Sequence, residues 1–239
     1  MPSRAWGVDS APRSVVDQVT QSILDSILSC ELPPGEEVAI LDLSERLGVS
    51  HIPVREALRR LESRGFVVFR RGKPPQIAPV DPEDFEDLFQ LRLVVERDVA
   101  RRSAKLLTPE RIQRLEEVFA DLEAMVERGS VVGTHRLHTE FHRALLPGAS
   151  RWDRQVLDQV WAATERYVQV YTSVVERDAA TRGWIMDEHR QLVEAARSAT
   201  PRQFERAIVD HVQRSRIGLR PAVVAASGET VAAPSSPRP

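Results

Sequence analysis

The 239-residue sequence has a single cysteine, Cys30, which excludes a disulfide framework and any cysteine-built metal motif. It has no run of about 18 uninterrupted apolar residues, the length a helix needs to cross a bilayer. No apolar stretch follows the charges of the opening MPSRAWGVDSAPRS, so neither a membrane span nor a secretory leader is expected, and a soluble cytoplasmic protein is. Phosphate-cradling glycine loops and nucleophile motifs are missing too. An enzyme is therefore not expected, and no catalytic residue is named. Strand signals are missing beyond residue 83. Apolar residues make up 42 % of the chain, enough for a proper core in one or two domains, and the net charge is -2.

Against that near-neutral background one stretch stands out: Ile40 to Lys73, ILDLSERLGVSHIPVREALRRLESRGFVVFRRGK. A short helical pattern over Leu41–Leu47, with Leu43 and Leu47 at apolar spacing, is broken at Gly48-Val49-Ser50. Ser50 suits the N-cap of a second helix, and Pro53 suits its first turn, where a missing N–H does little harm. Val54, Leu58 and Leu61 form the inward stripe of that helix, which runs to about Arg64, with Gly65 as its terminator. Phe66–Arg71 then reads as a strand, Gly72–Pro75 as a turn and Gln76–Val80 as a returning strand. Two helices across a tight turn and a basic hairpin make a winged helix-turn-helix. From His51 to Lys73 there are seven arginines and lysines against Glu56 and Glu62, a local charge of +5. A helix of this kind fits the major groove of DNA, with its N-terminal side chains at the base edges. A solvated helix beside a coincidentally basic hairpin is the bland alternative.

The segment GVSHIPVREALRRLESRGFV, with Leu32-Pro-Pro-Gly35 upstream, resembles the DNA-binding domain of GntR-family bacterial transcription regulators. The resemblance implies that Arg55 and Arg59 face DNA, and that Arg71 and Gly72 approach the minor groove and its phosphates at the wing tip. The candidate DNA-binding set is Ser50, His51, Arg55, Arg59, Arg71, Gly72 and Lys73. An arginine is common in the family where this chain has His51, and often stands where it has Leu41.

Residues 1–13 read as a disordered arm. From Ser14, Val15, Val19, Ile23 and Ile27 mark an amphipathic helix that Leu32-Pro-Pro-Gly stops, to be covered by Leu43, Leu47, Leu58 and Leu61. Pro79–Pro82 is a linker. Six helical periods follow, at about 83–106, 109–128, 131–146, 150–176, 179–198 and 201–219. They are separated by Thr108-Pro109, Gly129, Pro147-Gly148, Asp178 and Thr200-Pro201. The fold class is mainly α. A winged helix-turn-helix spans 14–80, an all-α six-helix bundle spans 83–220, and a disordered tail rich in Ala, Ser and Pro spans 221–239.

Five of the six histidines fall in the bundle. His138 and His142 stand at i, i+4, so both can reach one ion, and His189 and His211 lie on the last two helices. Imidazoles from facing helices can hold zinc, nickel, cobalt, iron or manganese. Such a pair is common by chance and a lone bundle histidine is usually just hydrogen-bonded, so spacing leaves the metal and structural roles both open. His135, at i−3 from His138, is either a substitute ligand or an exposed helix residue, and the exposed position is the expectation. Arg92 is either a carboxylate binder or an exposed i, i+4 partner of Glu96. Trp161, Tyr167 and Tyr171 could line a pocket or simply pack. Glu140 and Glu188 are the nearby carboxylates an enzyme could use as base.

The run His138-x-x-Phe141-His142-x-x-Leu145, then Glu188-His189, then His211 resembles the ligand-binding domain of the FadR subfamily of GntR regulators, over about 83–220. Many members hold a divalent metal with one aspartate and three histidines. His142, His189 and His211 match the three histidines, and His138 stands where the first ligand is usually Asp or Asn. The resemblance implies a metal at His138, His142, His189 and His211, and Arg92 as the effector-carboxylate binder. Without the aspartate's charge the ion is less compensated, which favours an anionic ligand and a borderline ion such as zinc or nickel over manganese. The expected function is a homodimeric regulator, in the usual family outcome a repressor. It would bind palindromic double-stranded operator DNA under the control of a small carboxylate. The alternatives are a regulator whose effector is the metal itself, or a metal-dependent hydrolase.

Overall fold

In a computed structural model, residues 14–129, 131–175, 179–198 and 200–227 are described, with side chains except at 131–132, 169–175, 179–184 and 198. The expected arm 1–13, the tail from 228 and the side chain of Tyr171 lie outside the described residues. The described residues divide into two compact units, 14–27 with 31–78, and 28–30 with 79–227.

The first unit contains α1 (Val15–Leu28), α2 (Ile40–Leu47), α3 (His51–Glu62), β1 (Val67–Val68) and β2 (Gln76–Ile77). Val19, Ile23, Leu24 and Ile27 of α1 are buried, as are Leu43 of α2 and Val54, Leu58 and Leu61 of α3. Leu47 is half-buried. Gly48 takes a left-handed φ of 66° in the turn between α2 and α3, which is the reason for a glycine there. Ser50 occupies the N-cap position with extended backbone, but its side chain makes no capping bond; only its backbone fits the expected role. The helix stops at Glu62, and Gly65, at φ 77°, turns the chain into the hairpin.

The strands are shorter than the sequence pattern suggests. Val67 pairs with Ile77 and Val68 with Gln76, antiparallel, and the ladder ends there. Pro74, Pro75 and Pro79 bracket β2 and have no N–H to extend it. The other edge of β2 is taken by the segment before α2. The Ile77 N–H donates to the Glu36 carbonyl at 2.8 Å, and Gly35 N–H to the Ile77 carbonyl at 3.1 Å. A basic wing tip, Arg70 to Lys73, projects from this small sheet with Gly72 at φ 73°.

The second unit has α4 (Pro82–Ser103), α5 (Pro109–Glu127), α6 (Val131–Leu145), α7 (Arg151–Val175), α8 (Ala179–Ser198) and α9 (Pro201–Ser227). Their starts are written in local chemistry. Asp81 accepts from the N–H groups of Glu83 and Asp84, with Pro82 in the first turn. Ser150 and Asp153 cap each other reciprocally, and so do Thr200 and Gln203. One apolar cluster joins Leu115, Leu122, Phe141, Leu145, Leu157, Leu192 and Ile208 from five helices. A second joins Phe85 and Phe89 of α4, Tyr167 of α7 and Val212, Leu219, Ala222 and Val223 of α9. That second cluster corrects the expected end of the last helix. α9 continues through Pro221 to Ser227, because Ala222 and Val223 bury themselves against the α4 and α7 aromatics. The apolar contacts outweigh the hydrogen bond that proline cannot make.

Gly148, between α6 and α7, lies against the end of α4. Its N–H donates to Ser103 Oγ at 2.9 Å, and a Cβ there would come within 2.7 Å of the Ser103 backbone nitrogen. Backbone on both sides leaves nothing flexible to move aside. Gly148→Ala is expected to cost about 1–3 kcal/mol, seen as a melting temperature lowered by about 5 °C in a thermal scan. An unchanged melting curve would mean that the α4–α7 contact adjusts freely.

Candidate functional site

In the first unit, the charges of α3 and the wing are not equivalent. Arg59 bonds Glu62 at 2.8 Å and its guanidinium lies 3.9 Å from the Phe69 ring centre, so it is held along the seam between α3 and the hairpin. Arg60 is tied to Glu56 and Asp17, and Arg70 to Glu37. Among the described residues, Arg55, Arg71 and Lys73 are exposed cations with no ion-pair partner, and Ser50, His51 and Gly72 are exposed beside them. The candidates therefore lie exposed at the start of α3 and at the wing tip, with Arg59 already engaged within the unit.

In the second unit, the inward stripes of five helices deliver polar side chains to one place. His138 Nε2 lies 2.9 Å from His189 Nε2 and 3.2 Å from His142 Nε2. The ligand atoms of these three all fall within 4.8 Å of one another. His211 stands beside that trio, its ring centre 5.0 Å from that of His189 and 5.5 Å from that of His142. Its buried Nδ1 has no hydrogen-bond partner among the described residues. The site thus brings three of the four expected imidazoles together, with the fourth, His211, adjoining.

The protonation chemistry follows from burial. The low-dielectric interior pushes His138 down to about 4, against an opposing pull from the Glu165 carboxylate, and His189 down to about 3. His142 and His211 fall well below the usual imidazole range, again chiefly through loss of hydration. All four are neutral near pH 7, the form that can ligate a metal. His189 Nδ1 lies 2.7 Å from the Ile185 carbonyl oxygen, so it must donate, and a bare lone pair is left at its Nε2. His138 Nε2 then has two neighbouring nitrogens to serve with one hydrogen. A cation between them satisfies all three, and two nitrogens on one tetrahedral zinc stand about 3.3 Å apart for bonds of about 2.0–2.1 Å. The donor set and the spacing fit a divalent metal.

Arg92 of α4 reaches the same place. It bonds Glu96 at 2.7 Å, and Trp161 Nε1 donates to the same carboxylate at 3.1 Å. The pair with Glu96 is real, but it is almost fully buried, not the exposed pair weighed from the sequence. Arg92, His138, His142, Thr164, His189 and His211 line a cavity of about 60 Å³. Tyr167 is not in that lining. It packs on Phe85 and donates to Asp84, so packing explains it. His135 is 8 % exposed and lies 3.1 Å from Glu165, contrary to the exposed position expected. Glu140 is held by Arg114 and Glu188 by Arg214, outside the histidine trio. Glu165 and Thr164 were missed. They occupy i+8 and i+7 from Leu157 on the buried stripe of α7, and a polar pair on an apolar stripe was the signal available.

A winged helix-turn-helix with a basic exposed face, ahead of a helical bundle with a polar internal pocket, defines a DNA-binding transcription regulator. The comparisons with known proteins carry this to a family. Residues 15–77 match the model of the bacterial regulatory proteins of the gntR family, and residues 87–214 match the FCD domain, more than half of the chain. The chain belongs to the GntR family of transcription regulators, in the branch that carries an FCD domain. It is 23 % identical over 209 residues to the HTH-type transcriptional repressor RspR of Escherichia coli, covering 86 % of this chain and 89 % of that one. It is 27 % identical over 203 residues to the probable D-xylose utilization operon transcriptional repressor of Paenarthrobacter nicotinovorans, covering 83 % and 86 %. Among solved structures, E. coli McbR/YncC superposes with a TM-score of 0.70 at 20 % identity over 87 % of this chain and 98 % of that one, a likeness of fold. The relatives are regulators, not enzymes, and among the described residues no helix is long and apolar enough to cross a membrane.

Proposed function

We propose that this regulator is a homodimeric repressor whose affinity for a palindromic operator is set by a small carboxylate bound at a divalent metal in the bundle. The observation that carries the reading is the convergence of the His138, His142 and His189 Nε2 atoms beside the buried Arg92 guanidinium. Zinc or nickel suits an imidazole donor set. His138, His142 and His189 would hold the ion, with His211 adjoining. The ion supplies a charged anchor for an anion, and Arg92 supplies a planar two-pronged donor for a carboxylate. Arg92 shares the Glu96 carboxylate with Trp161. A ligand that binds one arrangement of the bundle better shifts operator affinity by that difference, typically about 1–3 kcal/mol or roughly 5- to 150-fold.

The size of the cavity supports a second reading in which the ion is itself the effector. A cavity of about 60 Å³ holds a few water molecules, and an ion fits it more readily than an organic acid. Operator binding by the purified protein, followed by fluorescence anisotropy against random competitor, separates the two. Zinc alone shifts the curve if the ion is the effector; zinc plus an organic acid is needed if it is not. No preference for any duplex at moderate salt would sink both.

On the DNA side, Ser50, His51, Arg55, Arg59, Arg71, Gly72 and Lys73 form the proposed contact surface, with Arg55 the leading base reader because it is exposed and unengaged. Arg55→Ala is expected to weaken operator binding by about 1–3 kcal/mol and relax specificity at one base pair. Arg71→Ala is expected to weaken binding to all duplexes and to lower the salt slope by about one. A specific loss from Arg71→Ala and none from Arg55→Ala in the same titrations would reverse these roles.

The homodimer has a candidate surface on α4. Val94 is 70 % exposed and Leu91 45 %, with Asp87 one to two turns before and Arg97 one turn after on the same outward stripe. Two copies laid antiparallel along this stripe bring the apolar residues together and set Asp87 of each against Arg97 of the other, the self-complementarity a two-fold interface needs.

A further inference from the structure

Glu165 lies on α7, 5 % exposed, with Oε2 placed 3.1 Å from His135 Nδ1 and 3.8 Å from His138 Nδ1. His138 thus has two functional faces. Its Nε2 points to His142 and His189 at 3.2 and 2.9 Å, and its Nδ1 points to a carboxylate. We propose that Glu165 is the positioning residue of the metal centre: it takes the Nδ1–H of His138, leaves the Nε2 lone pair to the ion, and supplies through the ring the negative charge that the histidine ligands lack. The inference rests on the metal reading above and deepens it.

Three observations support it. An imidazole ligates through one nitrogen only if its hydrogen is on the other, and that choice is set by what the second nitrogen faces. For His189 the partner is the Ile185 carbonyl. For His138 it is Glu165, an acceptor-only group that selects the same tautomer. Second, a carboxylate buried among helices needs positive charge nearby, and a divalent ion on the far side of the ring is such a charge. Third, Glu165 is outside the group of atoms that can surround one ion, so it acts through His138 rather than as a ligand. The 3.8 Å separation is longer than a hydrogen bond and closes with a small rotation of His138 as the ion draws Nε2 inward. The competing role is purely structural, a buried Glu165–His135 pair that locks α7 to α6. It predicts loss of stability without any special link to His138.

The test is cobalt and zinc affinity by competition with a chromophoric chelator, on the full chain, for the native protein, E165Q, H138D and the double variant. An aspartate at 138 offers a ligand oxygen directly and has no imidazole for Glu165 to orient. E165Q is expected to weaken metal binding about 10- to 100-fold, with the melting temperature of the metal-free protein little changed. In the H138D background the same replacement is expected to cost less than about threefold. Equal affinity of native and E165Q proteins overturns the inference, and so does an equal loss in both backgrounds, which would assign Glu165 to the fold. No metal bound by the native protein overturns the metal reading itself. A measurement on the native chain guards against a variant that fails to fold. Long-range proton–nitrogen spectra of the zinc-loaded protein should show His138 protonated at Nδ1, and protonation at Nε2 instead overturns the proposal.

Discussion

Replacing His142 and His189 together by alanine is expected to leave the purified protein without bound metal, while the native protein carries about one ion per chain. Both side chains are nearly inaccessible, and their Nε2 atoms are two of the three that converge. With both gone, only His138 of the convergent trio is left, and one ligand of three does not hold an ion against water. The effect extends to stability. A ligand present at a thousand times its dissociation constant stabilises the folded chain by about 4 kcal/mol, and at this chain length each kcal/mol is worth roughly 2–4 °C. Zinc should therefore raise the melting temperature of the native protein by about 10 °C and leave that of the double variant where it was. Elemental analysis reads the first result and thermal scans with and without chelator the second. A native protein with no metal, or a variant that still responds to zinc, would end the assignment of these histidines.

The other large effect is expected at Val94. Placing glutamate there should convert the proposed dimer to monomers and lower operator affinity by a factor of about 100 or more. Val94 is 70 % exposed, so the substitution itself should change the stability of the chain by less than about 0.5 kcal/mol. A two-fold interface doubles every change: one substitution introduces two like charges close to the axis. A monomer then has one reading head, and it loses the avidity of about 10²- to 10⁴-fold that comes from joining two. Sedimentation velocity gives the assembly state and anisotropy titration the affinity. A variant that remains a dimer with native affinity would move the interface off α4.

Much of this architecture is legible in local sequence because its causes are local. Gly48 needs a left-handed backbone, Ser150 with Asp153 and Thr200 with Gln203 satisfy their own helix starts, and Val54, Leu58 and Leu61 show the helical period directly. His138 and His142 are joined by one turn of helix, so their cooperation needs no tertiary knowledge. The wing was legible as a hairpin but not in its length, because its ladder is limited by prolines and shared with Glu36 and Gly35, some 40 residues earlier. Pro221 reads as a stop in sequence. Only the aromatics of α4 and α7 reveal why the helix passes through it.

The sequence by itself determined two things: a basic helix-turn-helix head, and a bundle whose later helices bring four histidines in a set order. Periodicity and capping are properties of neighbours along the chain, and both can be read there. Tertiary structure decided which charges are available and which are already engaged. It tied Arg59 to Glu62 and Phe69, buried Arg92 with Glu96, drew His135 inside and brought Glu165 behind His138. Those outcomes depend on how helices cross, which sets contacts between residues tens of positions apart, and a helical period carries no information about the crossing.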